Sequence, residues 1–192
     1  RRSDYEAHMA KAETYFERGS VGEARRCVQS AVDIYPDCVD AMAQLGRVYL
    51  LEAKALTADA EKGDPKRVQE IIDDGLSHMD KALALGPDHY DLVVTRAELQ
   101  IERARLSSDE NDLNAALKTL GRAKGLDGCP NRVNFLSATA LVHRARLARA
   151  RGKDPRDDLL RVLGYGDDVE DQAPWTALLA AARRELGARG SS

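Results

Sequence analysis

The feature that most constrains this chain is a recurring interval between small residues and proline. Ala24, Ala31 and Pro36 stand seven and five residues apart, and Gly75, Ala82 and Pro87 repeat both intervals. Seven residues are close to two helical turns, so the two small residues share a face, and the proline beyond them stops the helix. A helix that is small at two successive levels of one face can lie close against another helix. Upstream of the first trio, Ala12 and Tyr15 fall on an earlier helix that Gly19 ends; Gly46 and Tyr49 take corresponding places before the second. Ala97, Ala116, Ala123 and Gly128 give a weaker third copy, with glycine where proline stood. Repetition of this kind predicts stacked helical pairs, because one pair cannot bury its own apolar face.

The rest of the chain agrees with a helical reading. Aromatics make up only 5%, strand-like alternation is scarce, and prolines and glycines fall where helices would stop. The breaks predict nine helices, at about 3–18, 21–35, 38–62, 65–85, 89–107, 109–126, 131–152, 155–163 and 173–187, with ends uncertain by roughly 2 to 4 residues. Apolar stripes at helical spacing run along them, as in Val28, Ala31, Val32 and Tyr35, or Ile71, Ile72, Leu76, Met79 and Leu83.

These residues resemble the tetratricopeptide repeat (TPR) family, whose helix hairpins of about 34 residues carry small residues at close crossings, a large residue between the helices and proline at the exit. The resemblance covers about residues 5–163 and implies an all-α, right-handed α–α superhelix of about four hairpins, at approximately 5–38, 39–89, 90–130 and 131–163, within one domain spanning 1–192. The fourth hairpin is degenerate and rests on Leu136, Ala138, Leu141 and Ala145. From Pro36 to Pro87 the chain runs 51 residues, so the second repeat carries 17 extra at its tip, and the third about seven. Good helix formers from Ala53 to Ala60 and the restart at Asp64, Pro65 and Lys66 predict lengthened helices there rather than a disordered insertion. The last helix, 173–187, is expected to cap the stack through Trp175, Leu178, Leu179, Ala182 and Leu186, with Pro174 in its first turn.

Bulk charge offers no partner. The 29 basic and 32 acidic side chains leave a net charge of −3, which argues against nucleic acid or an anionic membrane surface as the main target. Cys27, Cys38 and Cys129 are odd in number and far apart, so neither a disulfide framework nor a metal cluster is expected. No stretch approaches the roughly 20 apolar residues of a membrane span, and the expected setting is soluble, reducing and cytoplasmic. The start at Arg1 rather than a methionine is expected of a piece of a longer protein or of a processed chain.

No motif in the chain carries chemistry. His8, His78, His89 and His143 are scattered without paired ligands, and Asp73 with Asp74, or Asp167, Asp168, Glu170 and Asp171, lack the alternating ligands and glycine of a calcium loop. Gly164, Tyr165 and Gly166 follow no strand and read as a linker rather than a dinucleotide loop. Arg144, Arg146, Arg149, Arg151 and Lys153 spread around most of a helix, with Asp154, Asp157 and Asp158 close behind, and are expected to be a solvated helix end. The expectation is a protein that is not an enzyme and needs no cofactor, metal or small-molecule substrate.

Function is instead implied by the resemblance. In the TPR family the first helix of each pair lines a concave surface, and position by position this puts Met9, Glu13, Phe16, Ala43, Arg47, Leu50, Val94, Glu98, Ile101, Phe135, Thr139 and Val142 in a groove. An apolar floor suits a helix or extended peptide, with Glu13, Arg47 and Glu98 fixing its register. Phe16, Leu50 and Ile101 are equally explicable as packing between hairpins. Met9 and Glu13 stand where chaperone-binding members use lysine and asparagine, which argues against a chaperone tail. The long hairpins and arginine–alanine-rich helices also look like the helical regions attached to bacterial serine/threonine kinases, although no kinase motif is present. The implied function is a protein-binding module, for a partner or for its own parent chain; the alternative is a structural or oligomerising element.

Overall fold

The computed structural model describes residues 1–58, 64–165 and 173–187, and among these it is all-helical with no strand. The helices are α1 (Arg2–Glu17), α2 (Val21–Ile34), α3 (Val39–Ala58), α4 (Pro65–Leu85), α5 (Tyr90–Ser107), α6 (Glu110–Ala123), α7 (Pro130–Ala150), α8 (Arg156–Gly164) and α9 (Ala173–Gly187). The expected run of α3 through Ala60 to 62 lies partly outside the described residues. So do Gly63 and Gly166, and the acidic group Asp167, Asp168, Glu170 and Asp171.

Helix ends follow local chemistry. Gly19 ends α1 at φ +71°, a conformation that costs glycine little, and Ser20 donates its backbone N–H to the Tyr15 carbonyl at 2.9 Å. Asp64 caps α4 by accepting the Lys66 N–H at 3.0 Å, with Pro65 at the first helical position. Asp109 caps α6 in the same way, through the Asn111 N–H at 2.9 Å. The expected end of α6 at 126 is not reached. After Ala123 the chain tightens into three-residue turns, with Gly125 N–H on the Arg122 carbonyl and Leu126 N–H on the Ala123 carbonyl, both at 3.1 Å.

Four hairpins, α1–α2, α3–α4, α5–α6 and α7–α8, stack in order, and α9 follows them. Each even helix also packs on the next odd one, and α3, α5, α7 and α9 touch in sequence. The core is divided accordingly into four clusters. Ala12, Phe16, Ala24, Val28, Leu45 and Val48 join α1, α2 and α3. Ile72, Met79, Leu92 and Leu99 belong to the cluster that joins α3, α4 and α5. Val94, Leu113, Leu120 and Val133 belong to the next, among α5, α6 and α7, and Leu141, Leu159, Trp175 and Leu179 to the last, among α7, α8 and α9. Each fully buried Leu, Ile or Met contributes about 1.5–3 kcal/mol, and in a stack these terms act between neighbours. The result is the α–α superhelix, with α9 laid on the end of the stack.

Small residues sit where helices approach closely. A Cβ on Gly75 would come within 2.9 Å of the Tyr49 Cβ, and one on Gly46 would run into the end of the Met79 side chain. Ala24, Ala31, Ala82, Ala97 and Ala116 are completely buried. Gly128, standing where the first two copies have proline, has the Tyr90 ring laid against it, and the Tyr90 hydroxyl donates to the Cys129 carbonyl at 2.8 Å. The weaker third exit thus has its own packing reason.

Candidate functional site

The odd helices α3, α5, α7 and α9 share one side of the stack, and two cavities open on it. The first, of about 490 Å³, is lined by Glu13, Ala43, Gln44, Arg47, Leu50, Leu51 and Lys54, and by Asp91, Thr95, Glu98 and Arg132. The second, of about 430 Å³, is lined by Lys54, Glu98, Ile101, Glu102 and Arg105, by Phe135, Leu136, Thr139 and Arg146, and by Ala177, Leu178, Ala181 and Arg184 of α9. Lys54 and Glu98 belong to both, so the cavities form one trough. Its first half is polar and its second half more apolar, because Ile101, Phe135, Leu136 and Leu178 all fall in the second.

Eight of the twelve positions named from the sequence line this trough: Glu13, Ala43, Arg47, Leu50, Glu98, Ile101, Phe135 and Thr139. The other four do not. Phe16 lies in the first core cluster beneath the Arg47 guanidinium, 4.2 Å from ring centre to cation. Val94 and Val142 are buried between helices at 0% and 3% exposure, and Met9 is half-buried on α1. Leu50 and Ile101 reach the cavity walls but are themselves 4% and 2% exposed, so they act mainly as packing. The trough also takes residues that the sequence reading left out: Lys54, Arg105 and Arg146, seven residues beyond Arg47, Glu98 and Thr139, and the α9 face from Ala177 to Arg184. Continuing the groove positions by two turns would have found the first three. The α9 residues were hidden because that helix reads as a lid on the end of the stack, whereas it also forms a wall.

Ion pairs organise the floor. Arg47 reaches Glu13 at 3.1 Å and so ties α3 to α1. Glu98, nearly buried on α5, accepts from Lys54 of α3 at 3.1 Å and from Arg132 of α7 at 2.6 Å. Arg105 donates to Glu102 at 2.8 Å and, through Nε, to the His143 ring nitrogen Nε2 at 2.9 Å. His143 therefore accepts there. Burial, followed by Arg105 and Arg146, pulls its pKa down to about 4 and keeps the ring neutral near pH 7. Burial also lowers His78, with Lys81 adding to the effect.

The arginine run at the end of α7 is only in part the solvated helix end expected of it: Arg146, Arg151 and Lys153 are exposed, whereas Arg144 and Arg149 are drawn against neighbouring helices. Arg144 makes a two-pronged pair with Asp158 of α8, at 2.8 and 2.5 Å, Arg149 binds Glu185 of α9, and Arg151 reaches Glu110 of α6 at 2.9 Å. These arginines cross-link neighbouring helices. Among the described residues no three His, Cys, Asp or Glu side chains converge where a metal ion would fit, and no helix is long and apolar enough to cross a membrane.

Stacked antiparallel hairpins with a trough along the odd helices define a TPR-like solenoid. Among solved structures the chain is similar to "MamA RS-1 ArsTM double mutant", at 16% identity over 98% of each chain with a TM-score of 0.50. At that identity the likeness is one of fold. No family model matches the sequence, and no curated protein matches it.

Proposed function

We propose that this chain is a protein-binding module that holds a segment of another protein, or of its own parent protein, along the trough. The observation that carries the reading is the continuity of the two cavities through Lys54 and Glu98 across five successive odd helices, from Glu13 of α1 to Arg184 of α9. A long surface with a polar half and an apolar half matches an elongated chain better than a compact small molecule. Affinity would come from apolar anchors at Phe135 and Leu178, while exposed pairs such as Arg47–Glu13 orient the ligand and add little energy.

The decisive substitutions are at lining residues outside the core, since aspartate at the buried Leu50 or Ile101 would unfold the stack as well as block it. Arg47→Glu, Thr139→Glu and Leu178→Glu should each lose the partner in a pulldown while circular dichroism is unchanged. Lys118→Glu, in a cavity formed by α4, α5 and α6, should keep it. Retention of the partner by all three trough variants contradicts the reading. The alternative of an oligomerising element predicts a mass that rises with concentration in light scattering. A role beside a bacterial serine/threonine kinase rests on the arginine–alanine-rich long hairpins, and the parent sequence would test it.

A further inference from the structure

Four cations lie in a row on the trough. Lys54, Arg105, Arg146 and Arg184 stand in the C-terminal halves of α3, α5, α7 and α9, and all four line the second cavity. In a stack of antiparallel pairs the odd helices run in one direction, so these four ends fall along one rim. The same cavity holds two carboxylates, Glu98 and Glu102, whose side chains are only 9% exposed and sit beneath the cations. Their charge is already committed. Glu98 is shared between Lys54 and Arg132, and Glu102 is held by Arg105. Arg146 lies 3.6 Å from Glu185, which Arg149 holds more closely, and Arg184 has no partner among the described residues. In a chain of net charge −3, this half of the trough carries a surplus of positive charge.

We infer that the C-terminal half of the trough, from α3 to α9, docks an acidic amphipathic helix of a partner protein, its carboxylates on the Lys54–Arg105–Arg146–Arg184 rim and its apolar face on Phe135 and Leu178. This rests on the trough being the binding surface and adds the partner's chemistry. The spacing selects a helix. Packed helices lie about 8–10 Å apart, so the rim presents a cation at about that interval. Residues seven apart on a helix lie about 10.5 Å apart on the same face. In an extended strand, residues on one face lie about 6.7 or 13 Å apart, and those about 10 Å apart point to opposite sides. A helix can also place apolar residues beside its acidic row, which the rim-and-floor arrangement requires.

The test uses three synthetic amphipathic peptides with one shared leucine face, carrying glutamate, glutamine or lysine at every seventh flanking position. Binding to the whole chain is followed by fluorescence anisotropy at low and physiological salt. The glutamate peptide should bind at least about tenfold more tightly than the glutamine peptide and the lysine peptide more weakly still, with the advantage shrinking as salt rises. Arg146→Glu with Arg184→Glu should remove that advantage, and Lys118→Glu should not. Since Arg184 has no partner among the described residues, Arg184→Glu alone keeps the test valid if the double variant folds poorly; it should lower the advantage several-fold. If all three peptides bind equally and Leu178→Glu abolishes all of them, the trough stands and the acidic partner falls. Absence of binding by any peptide, or a preference for the lysine peptide, also overturns the inference.

Discussion

At the scale of single residues, charge placement decides which side chains matter. The Arg144–Asp158 pair is two-pronged, with side chains only 20% and 16% exposed, so Arg144→Ala leaves a half-buried carboxylate without its partner. The expected cost is about 1–3 kcal/mol in denaturant unfolding. Arg2→Ala removes a pair open to water and should leave the midpoint unchanged. His143 makes a pH prediction. Its folded pKa, about 4, lies below the ordinary histidine value near 6.5, so the unfolded chain takes up a proton that the folded one refuses. Its contribution to stability is complete above pH 6.5 and is lost as pH falls toward 4; His78 acts in the same direction. His143→Gln should flatten the fall in stability across that window by on the order of 1–2 kcal/mol, after allowance for solvent screening of a partly exposed ring. An unchanged slope would contradict the burial argument. None of this was legible in the sequence, because the partners Asp158, Glu185 and Arg105 stand on other helices from the arginines and histidine they meet.

At the scale of elements, the glycines divide into those that the packing needs and those that it does not. Gly75→Ala should cost about 1–3 kcal/mol, although alanine is the better helix former by about 1 kcal/mol, because the new Cβ meets the Tyr49 Cβ at 2.9 Å. Gly121→Ala in α6 meets nothing within 4 Å and should stabilise by about 0.5–1 kcal/mol, both changes being read by denaturant unfolding. For the last helix, Trp175→Ala should cost about 3–5 kcal/mol, since the ring is 2% exposed and stands edge-on to Phe135 at 5.4 Å. Hydrogen exchange should then show α9 opening before α5. The sequence revealed these elements well because their signals are local: Gly19 and Asp64 stop and start helices through groups two to four residues away. The least local of these ends is that of α6, three residues short of 126, where Lys124, Gly125 and Leu126 tighten the turn and the following loop meets the Tyr90 ring at Gly128. That constraint comes from a helix more than thirty residues earlier.

For the whole molecule, the stack was legible because its contacts join consecutive elements, so the spacing of Ala24, Ala31 and Pro36 carries nearly all the topology. The trough was legible in part. Position along the odd helices found Glu13, Arg47, Glu98 and Thr139, yet it also assigned Val94 and Val142, which the flanking helices bury. Which face of α5 or α7 stays open depends on how neighbouring hairpins rotate against each other, and one sequence does not record that rotation. The same limit hid Arg184, since only the packed position of α9 makes its outer face a wall.

The most direct test of the trough as binding surface is a map of backbone amide shifts in isotope-labelled chain on adding the glutamate peptide or an identified partner segment. Perturbations concentrated at 44–54, 98–105, 135–146 and 177–184 are the predicted result. Perturbations centred instead on Asp80, Leu83 and Lys118, in the cavity between α4, α5 and α6, with the trough silent, would contradict it.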